Sequence, residues 1–208
     1  MKNISTQMLT LLGAVVFSAN SQANPSLHSH HKTVLTAEQT MVLSVAEDTF
    51  VASNYASTNY NGSQLSADGS DKNYGQTKSL LKWDMNKVPK CAQIQSATIV
   101  VDVDNVSRGR YNIYSSHSQW HEQDATWQSV DTNTDNLEPI ARFRPRMKSL
   151  MEIVLSSRGV KAVQQWLGGN NNGVVIASDG TRDGIGIKAK ENGYSPKLVV
   201  RYKGCEMI

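Results

Sequence analysis

The sequence predicts an all-β protein in which two antiparallel sheets pack face to face as a jelly-roll-like β-sandwich with one short helix. Hydrophobic residues make up 39% of the 208 residues and charged residues only 19%, and residues that favour turns are abundant. From residue 42 onward, apolar residues alternate with polar ones in short segments separated by turns. This composition and period exclude a coiled coil and a disordered tail.

The N-terminal segment, residues 1–23, has the pattern of a cleavable export signal. Lys2 precedes an apolar run of about ten residues, and small residues stand three and one positions before a cut after Ala23. A retained N-terminal anchor is the alternative, although a run of this length is too short to cross a bilayer as a helix. The sequence therefore predicts a secreted protein, extracellular or periplasmic, without a membrane span.

Residues 24–41 are polar and lack a clear period, so we expect a flexible lead-in before a single β-sandwich domain at residues 42–205. His28, His30 and His31 could ligate a transition metal, but a mobile segment lacks the hydrogen-bonding groups that hold such ligands in place. We therefore expect no functional metal there. The formal net charge of the whole chain is +3, which gives no support for nucleic-acid binding.

Several segments of the predicted domain alternate with a period of two residues. In residues 79–85, Leu81 and Trp83 take one face of a strand and Lys82 takes the other. Alternating burial of this kind is typical of antiparallel strands with one face on the core. The pattern recurs in three later segments, 94–104, 185–190 and 198–203. In the last two segments, basic residues hold the outward positions.

One segment departs from this period and predicts a short amphipathic helix. Val160, Val163 and Trp166 recur at helical spacing, and two glycines follow Leu167. Trp166 then lies on the apolar face of the helix. We expect the same packing role for all four tryptophans, Trp83, Trp120, Trp127 and Trp166.

The chain has two cysteines, Cys91 and Cys205. In an oxidising compartment, an isolated pair far apart in sequence is most simply a disulfide, and this one would pin the C-terminal strand. A closed loop of more than 100 residues would stabilise the fold by about 4 to 5 kcal/mol on the chain-entropy model. Two free thiols are the alternative.

A series of short motifs gives the sequence a family resemblance. The motifs are Glu47-Asp48-Thr49-Phe50-Val51, Tyr55 to Tyr60, Leu81-Lys82-Trp83-Asp84-Met85, Ser96-Ala97-Thr98-Ile99, Trp120-His121-Glu122 with Thr126-Trp127, Asn172 to Ile176, Ala189-Lys190-Glu191-Asn192, and Ser195-Pro196-Lys197-Leu198. In this order they resemble the DNRLRE-type domain, similar to family 96 carbohydrate-binding modules.

The resemblance runs from roughly Leu43 to Tyr202. It implies a non-catalytic β-sandwich module that binds acidic polysaccharide, of which alginate is the best-known ligand. Family members usually accompany polysaccharide-degrading enzymes, whereas no enzyme segment accompanies the module here. Trp83 also stands where the family usually has Phe, and His121 where Ser is frequent, and neither change threatens the fold.

The resemblance implies that basic residues bind the ligand, because each uronate sugar carries a carboxylate that Arg or Lys can bind. The outward strand positions and the turn around Gly109 supply seven candidates for ligand binding: Lys82, Arg108, Arg110, Tyr114, Lys188, Lys190 and Arg201. If their strands share a sheet, the cations form one stripe. Alternatively, these side chains are simply solvated. Tyr114 is expected to face outward for stacking on sugar rings, with Tyr55 and Tyr60 as loop alternatives.

A calcium ion is the weaker interpretation of the acidic loop that contains Asp131, Asn133 and Asp135. Their spacing matches the first half of an EF-hand loop. The second half does not match, because Asn136 replaces the tight-turn glycine and Arg142 stands where the bidentate glutamate belongs. The segment therefore indicates a polar turn-rich loop, and no cofactor is expected.

No motif for catalysis is present in the sequence. It has neither a Gly-x-Ser-x-Gly elbow nor a His-Glu-x-x-His zinc helix, so we expect a protein that is not an enzyme. Glu47, Asp48, Glu122 and Asp124 cannot be placed in one cleft from sequence alone. The alternative function is a structural or adhesive surface protein that binds a protein partner. Secreted polysaccharide-degrading enzymes and matrix proteins are then the candidate partners.

Overall fold

The structure is a computed structural model that describes the backbone of residues 33–207 and the side chains of residues 37–205. Within this range it contains ten strands and one α-helix, and all strand pairs are antiparallel. The elements are β1 (Thr33–Ala52), β2 (Gln64–Asp71), β3 (Gly75–Trp83), β4 (Gln93–Asn105), β5 (Tyr111–Ser115), β6 (Ala141–Phe143), β7 (Ser149–Val154), α1 (Ser157–Leu167), β8 (Val174–Ser178), β9 (Ile185–Lys188) and β10 (Lys197–Met207). The predicted all-β fold is confirmed.

The strands form two sheets that share β1 and β2. In the first sheet, β10 lies between the N-terminal part of β1 and β4, β7 pairs with β4, and β9 joins β4 to β2. In the second sheet, the C-terminal part of β1 pairs with β3, and the order continues through β8 and β5 to β6. β2 also pairs with the start of β3. The two sheets are therefore joined by strands that pass from one to the other.

A β-bulge at Ala46 reverses the face of β1. Val45 pairs with Trp83, whereas Glu47 pairs with Lys82, and neighbouring residues of β3 point to opposite faces. Val45 thus faces the core, Glu47 lies beside Lys82 on the outer face, and Asp48 points inward. Neighbouring residues of a strand always alternate, so the effect of the bulge is to make Glu47 the outer carboxylate and Asp48 the inner one.

The main hydrophobic core lies between the two sheets. Its residues are the inward positions of the alternating strands, such as Leu81 and Trp83 in β3 and Ile99 in β4, all 0% exposed. Val163 and Trp166 of α1 belong to the same cluster. Burying each large aliphatic side chain contributes about 1.5 to 3 kcal/mol, so this layer is the main source of stability. The predicted strand phases are confirmed for β3 and β4.

A second, smaller cluster covers the outer face of the second sheet. Leu80 and Val175 project outward from β3 and β8 and are covered by Trp120, Ala125 and Val130 from the loop between β5 and β6. Trp127 is half-buried against the same cluster. Because Trp83 and Trp166 lie in the main core, the predicted packing role is confirmed for all four tryptophans.

The predicted helix and disulfide are both present. The helix begins at Ser157, after an N-cap in which the Ser156 side chain accepts a hydrogen bond from the Gly159 backbone N–H. It ends at Leu167, immediately before the two glycines. Cys91 and Cys205 form a disulfide with their Cα atoms 6.0 Å apart, which confirms the pairing.

The N-terminal boundary of the domain differs from the prediction. β1 begins at Thr33, and its first residues pair with β10 from Thr33 opposite Met207 to Met41 opposite Val200. Residues 33–41, expected in the flexible lead-in, therefore belong to the first sheet. The predicted export signal and the three histidines at positions 28, 30 and 31 lie outside the described residues.

Candidate functional site

The four strand cations Lys82, Lys188, Lys190 and Arg201 do not form one stripe. Lys82 is in β3 of the second sheet, whereas Lys188 and Arg201 are in β9 and β10 of the first sheet. Lys190 lies beyond the end of β9, in a 3-10 turn at Lys190–Asn192. One stripe was expected only if these strands share a sheet, and this condition is not met, because they belong to two different sheets.

Each of the four cations also has a carboxylate partner. The Lys82 ammonium lies 2.7 Å from Glu47 and donates to the Trp120 carbonyl at 2.5 Å. Burial raises the pKa of Glu47, but the hydrogen bonds from Lys82 and from the Glu122 backbone N–H, together with the charges of Lys82 and His121, outweigh this effect, so that the pKa lies below its usual value. Lys82 is therefore a partner in a partly buried ion pair on the outer face of β3.

Lys188 and Arg201 form ion pairs on the first sheet. The Lys188 ammonium lies 2.8 Å from Asp102 and 4.0 Å from the ring centre of Tyr194, and the hydrogen bond to Asp102 raises the pKa of Lys188. Arg201 is paired with Glu38. These contacts neutralise both cations.

Lys190 closes the free edge of β1. Its ammonium donates to the Ala46 carbonyl at 3.0 Å, is hydrogen-bonded to Glu122, and lies 3.8 Å from Glu191. Burial lowers the pKa of Lys190, but the hydrogen bond to Glu122 and the surrounding carboxylates raise it by more. Lys190 is thus a structural cation.

Tyr114 does not face solvent as expected. It is only 9% exposed, and its hydroxyl accepts a hydrogen bond from Asn112 at 3.0 Å. The ring lines a cavity of about 530 Å³ between the end of β5 and α1. The loop between β5 and β6 covers this part of the outer face, which the strand period could not predict.

The loop tyrosines belong to an exposed aromatic group. Tyr55 is 49% exposed and Tyr74 is 38% exposed. Tyr60 stacks on Phe50 with ring centres 4.5 Å apart, and Tyr74 meets Tyr60 edge to face at 5.5 Å. Flat rings of this kind can pack on the apolar faces of sugars.

The remaining two candidates, Arg108 and Arg110, belong to a group of five exposed arginines. We call this group the arginine cluster; its members are Arg108, Arg110, Arg142, Arg144 and Arg146. β5 and β6 position them at the edge of the second sheet. None of the five forms an ion pair with a described residue, in contrast to the four strand cations.

The register of β5 and β6 explains why the arginines share one face. Asn112 pairs with Arg142, and the same register places Arg110 opposite Arg144. Positions two residues apart on a strand face the same side, about 7 Å from each other. Phe143 points the other way, into the core. Arg110, Arg142 and Arg144 therefore project together from the outer face.

Two shallow cavities lie along the arginine cluster. One, of about 370 Å³, is lined by Phe143 and the three guanidinium-bearing residues of the shared face. The other, of about 550 Å³, is lined by Arg108, Arg146 and Asp183, among others. A backbone hydrogen bond of 3.0 Å from Ser107 to Pro145 holds the two arginine-bearing segments together. Guanidinium groups at this spacing can bind successive carboxylates with paired hydrogen bonds.

Three members of the arginine cluster were not predicted from the sequence. Arg142, Arg144 and Arg146 alternate with Phe143 and Pro145, and this alternation predicts a strand edge with three cations on one side. The strand itself has only three residues, and an alternation over so short a segment is difficult to distinguish from an irregular loop.

The weak metal candidates form a polar loop. Asp131 and Asn133 accept hydrogen bonds from the backbone N–H groups of Asn133 and Asp135, at 3.0 and 2.8 Å. The buried Lys78 ammonium donates to the Thr132 carbonyl at 2.6 Å, and burial lowers the pKa of Lys78. These contacts are typical of Asx turns that close over a lysine.

A different set of carboxylates offers metal-ligand geometry. Asp48, Glu122 and Glu191 each place one carboxylate oxygen within 4.8 Å of the others. Asp48 is 0% exposed, and burial raises its pKa to about 7. This acidic cluster, as we call the three residues, was not predicted because its members are 69 or more residues apart in the chain.

The fold and the arginine cluster define a β-sandwich module with an exposed cationic edge. The sequence matches the profile of carbohydrate-binding module family 96 over residues 39–202. The chain therefore belongs to this family, which confirms the resemblance found in the sequence motifs. A comparison with curated proteins found no match. No helix in the described part of the chain is long and apolar enough to cross a membrane.

Proposed function

We propose that the protein is a secreted, non-catalytic module that binds acidic polysaccharides, such as alginate-like uronates, through the arginine cluster. The observation that carries the proposal is the set of five exposed guanidinium groups without ion-pair partners among the described side chains. Membership in a carbohydrate-binding family supports a sugar polymer as the ligand.

The geometry of the cluster supports an extended anionic ligand. Arg110, Arg142 and Arg144 line one shallow cavity, and Arg108 and Arg146 line the next. A single small anion would need one such position, whereas a polyuronate chain presents a carboxylate on every sugar. Binding should therefore weaken as salt rises, because exposed charges are screened within about 8 Å at physiological ionic strength.

Affinity electrophoresis of the full-length protein tests the proposal. Gels would contain alginate, polygalacturonate or a neutral glucan, at low and at high ionic strength. We expect retardation by the two acidic polymers alone, relieved by salt. Retardation by the glucan, or retardation by the acidic polymers that salt leaves unchanged, would contradict the cationic mechanism.

A pair of matched variants locates the binding surface. Arg142→Gln/Arg144→Gln should lower the affinity for alginate about ten- to a hundredfold, because each charge-assisted hydrogen bond contributes about 1.5 kcal/mol or more. Lys87→Gln/Lys90→Gln removes the same charge from two other exposed positions and should have little effect. Equal losses in both variants would show that only net charge matters.

A second candidate function is binding of a protein partner on the first sheet. Val42 and Val154 are 53% and 69% exposed, and the register connects them across β10 and β4 through Val199 and Thr98. This row of neighbouring side chains across the first sheet is the observation that favours a structural or adhesive role. Concentration-dependent sedimentation without retardation by any polysaccharide would favour it over the first proposal.

Export of the protein is part of the proposal. The signal-like residues 1–23 support it, and the Cys91–Cys205 disulfide is of the kind that persists in oxidising compartments. N-terminal sequencing of protein recovered outside the cytoplasm should give Asn24 as the first residue. Recovery of only the uncut chain from the cytoplasm would contradict this.

A further inference from the structure

We propose that the acidic cluster, Asp48, Glu122 and Glu191, is a calcium-binding site at the free edge of β1. The three residues come from β1, from the loop after β5 and from the turn after β9. Their carboxylate oxygens lie within 4.8 Å of one another. The site is separate from the arginine cluster, and its existence does not depend on polysaccharide binding.

Backbone hydrogen bonds fix the first two carboxylates. The Asp48 N–H donates to Glu122 at 3.2 Å, and the Lys190 N–H donates to the Asp48 carboxylate at 2.9 Å. The Glu122 N–H donates to Glu47 at 3.0 Å, which holds the loop against β1. The cluster is therefore held by β1 and the loops on both sides.

A buried oxygen without a partner points to a bound cation. Asp48 is 0% exposed, and its Oδ1 atom accepts no hydrogen bond. An unsatisfied buried acceptor is unfavourable, because the atom has lost its hydrogen bonds to water. A cation would satisfy such oxygens.

The local charge balance indicates a divalent ion. Asp48, Glu122 and Glu191 bring three carboxylates together, and the Lys190 ammonium is the cation that contacts two of them. The neighbouring Lys82 and Glu47 neutralise each other. With all three carboxylates ionised, the cluster carries three negative charges, and the single Lys190 ammonium neutralises only one of them.

The ligand types favour calcium over softer or smaller metals. All three donors are carboxylate oxygens, which suit hard cations. Calcium accepts irregular arrangements of six to eight oxygens, whereas magnesium requires a near-ideal octahedron. Since the ligands come from loops of differing exposure, with Asp48 buried and Glu191 exposed, calcium fits better. Calcium would displace the Lys190 ammonium from Glu122.

Calcium titration of the chelator-treated, full-length protein tests the site without any polysaccharide. Isothermal titration calorimetry should show one calcium per chain with a Kd of about 10⁻⁴ to 10⁻³ M, the range of extracellular calcium modules. Asp48→Asn and Glu191→Gln should each weaken binding about tenfold or more, because ligand charge sets calcium affinity. Lys190→Met should strengthen it, because a competing cation is removed.

Two controls keep the test decisive. Glu152→Gln removes an exposed carboxylate of β7 and should leave calcium binding unchanged. Asp131→Asn/Asp135→Asn removes the polar-loop carboxylates and should also have no effect. If Asp48→Asn fails to fold, the exposed Glu191 still provides the readout. No calcium uptake up to about 10 mM, or uptake that Glu191→Gln leaves intact, would overturn the proposal.

Discussion

Two groups of cations in this molecule have opposite surroundings. Lys82, Lys188 and Lys190 form ion pairs with carboxylates, with side chains 25% exposed or less. The arginine cluster projects into solvent without ion-pair partners among the described residues. The difference shows that an outward strand position makes a cation available to a ligand only if no neighbouring carboxylate neutralises it. The comparison also separates cations that stabilise the fold from cations that can bind an anion.

The largest expected effect comes from breaking a paired cation. Lys82→Met removes the ammonium that pairs with Glu47 and bonds the Trp120 carbonyl, while Glu47 keeps the Glu122 N–H, and should lower the free energy of unfolding by about 3 to 4 kcal/mol. Retardation by alginate should be preserved. Urea unfolding measures the first effect, and Arg142→Met is the control, with a stability change within about 0.5 kcal/mol. Equal destabilisation in both variants would remove the distinction between the two groups.

Changing the pH affects the surroundings of the paired cation Lys190 but not the arginine cluster, and it requires no mutation. Burial raises the pKa of Asp48 from 3.8 to about 7, while nearby Glu191 and Glu122 add to the rise and Lys190 opposes it. The folded state therefore holds this proton more tightly than the unfolded state does. The stability that Asp48 contributes is present below about pH 4 and is lost as pH rises to about 7. The loss should be on the order of 3 kcal/mol.

Urea unfolding in calcium-free buffer between about pH 5 and about pH 8 measures this loss. The pKa shifts of Glu47 and Lys190 act at lower and higher pH, outside this window. Asp48→Asn should abolish the contribution of this group, whereas alginate binding should not change, because arginine stays charged. If the free energy of unfolding of Asp48→Asn still falls as the pH rises, the titration belongs to another group.

The smallest effect tests the shape of the unpaired cations. Arg110→Lys/Arg144→Lys keeps both charges but removes the planar fork that can bind a carboxylate with two hydrogen bonds. We expect the affinity for alginate to fall about fivefold, or about 1 kcal/mol, with little change in salt dependence. An unchanged affinity would show that the cluster acts through charge alone.

Much of the fold could be predicted because the core follows the strand period. Leu81 with Trp83, and Ile99 with Val101, are buried as the alternation requires. The start of β1 could not be predicted, because residues 33–41 lack an apolar period and pair through their backbone with β10. The bulge at Ala46 has no turn residue to mark it, so the reversal of Glu47 and Asp48 was also not predictable.

The candidate site was harder to predict than the fold because it depends on contacts between distant parts of the chain. Lys82 meets Glu47 across two paired strands, and the partners of Lys188 and Lys190 are 86 and 68 residues away. Ion-pair partners so far apart in the chain cannot be identified from a local sequence pattern. Arg108 and Arg110 could be identified because they flank a glycine next to a strand.

The end of β10 is held on two sides, which has a mechanical consequence. Leu35 of β1 lies opposite Cys205, and the disulfide joins Cys205 to Cys91, ahead of β4. β1 and β10 are antiparallel, so a force that separates Thr33 from Met207 would unzip their pairs one at a time. After two residues the load on β10 reaches the covalent bond at Cys205. In an oxidised molecule β1 can therefore still peel from β10, but the end of β10 stays attached to the segment ahead of β4, whereas in a reduced molecule β10 can peel from β4 as well.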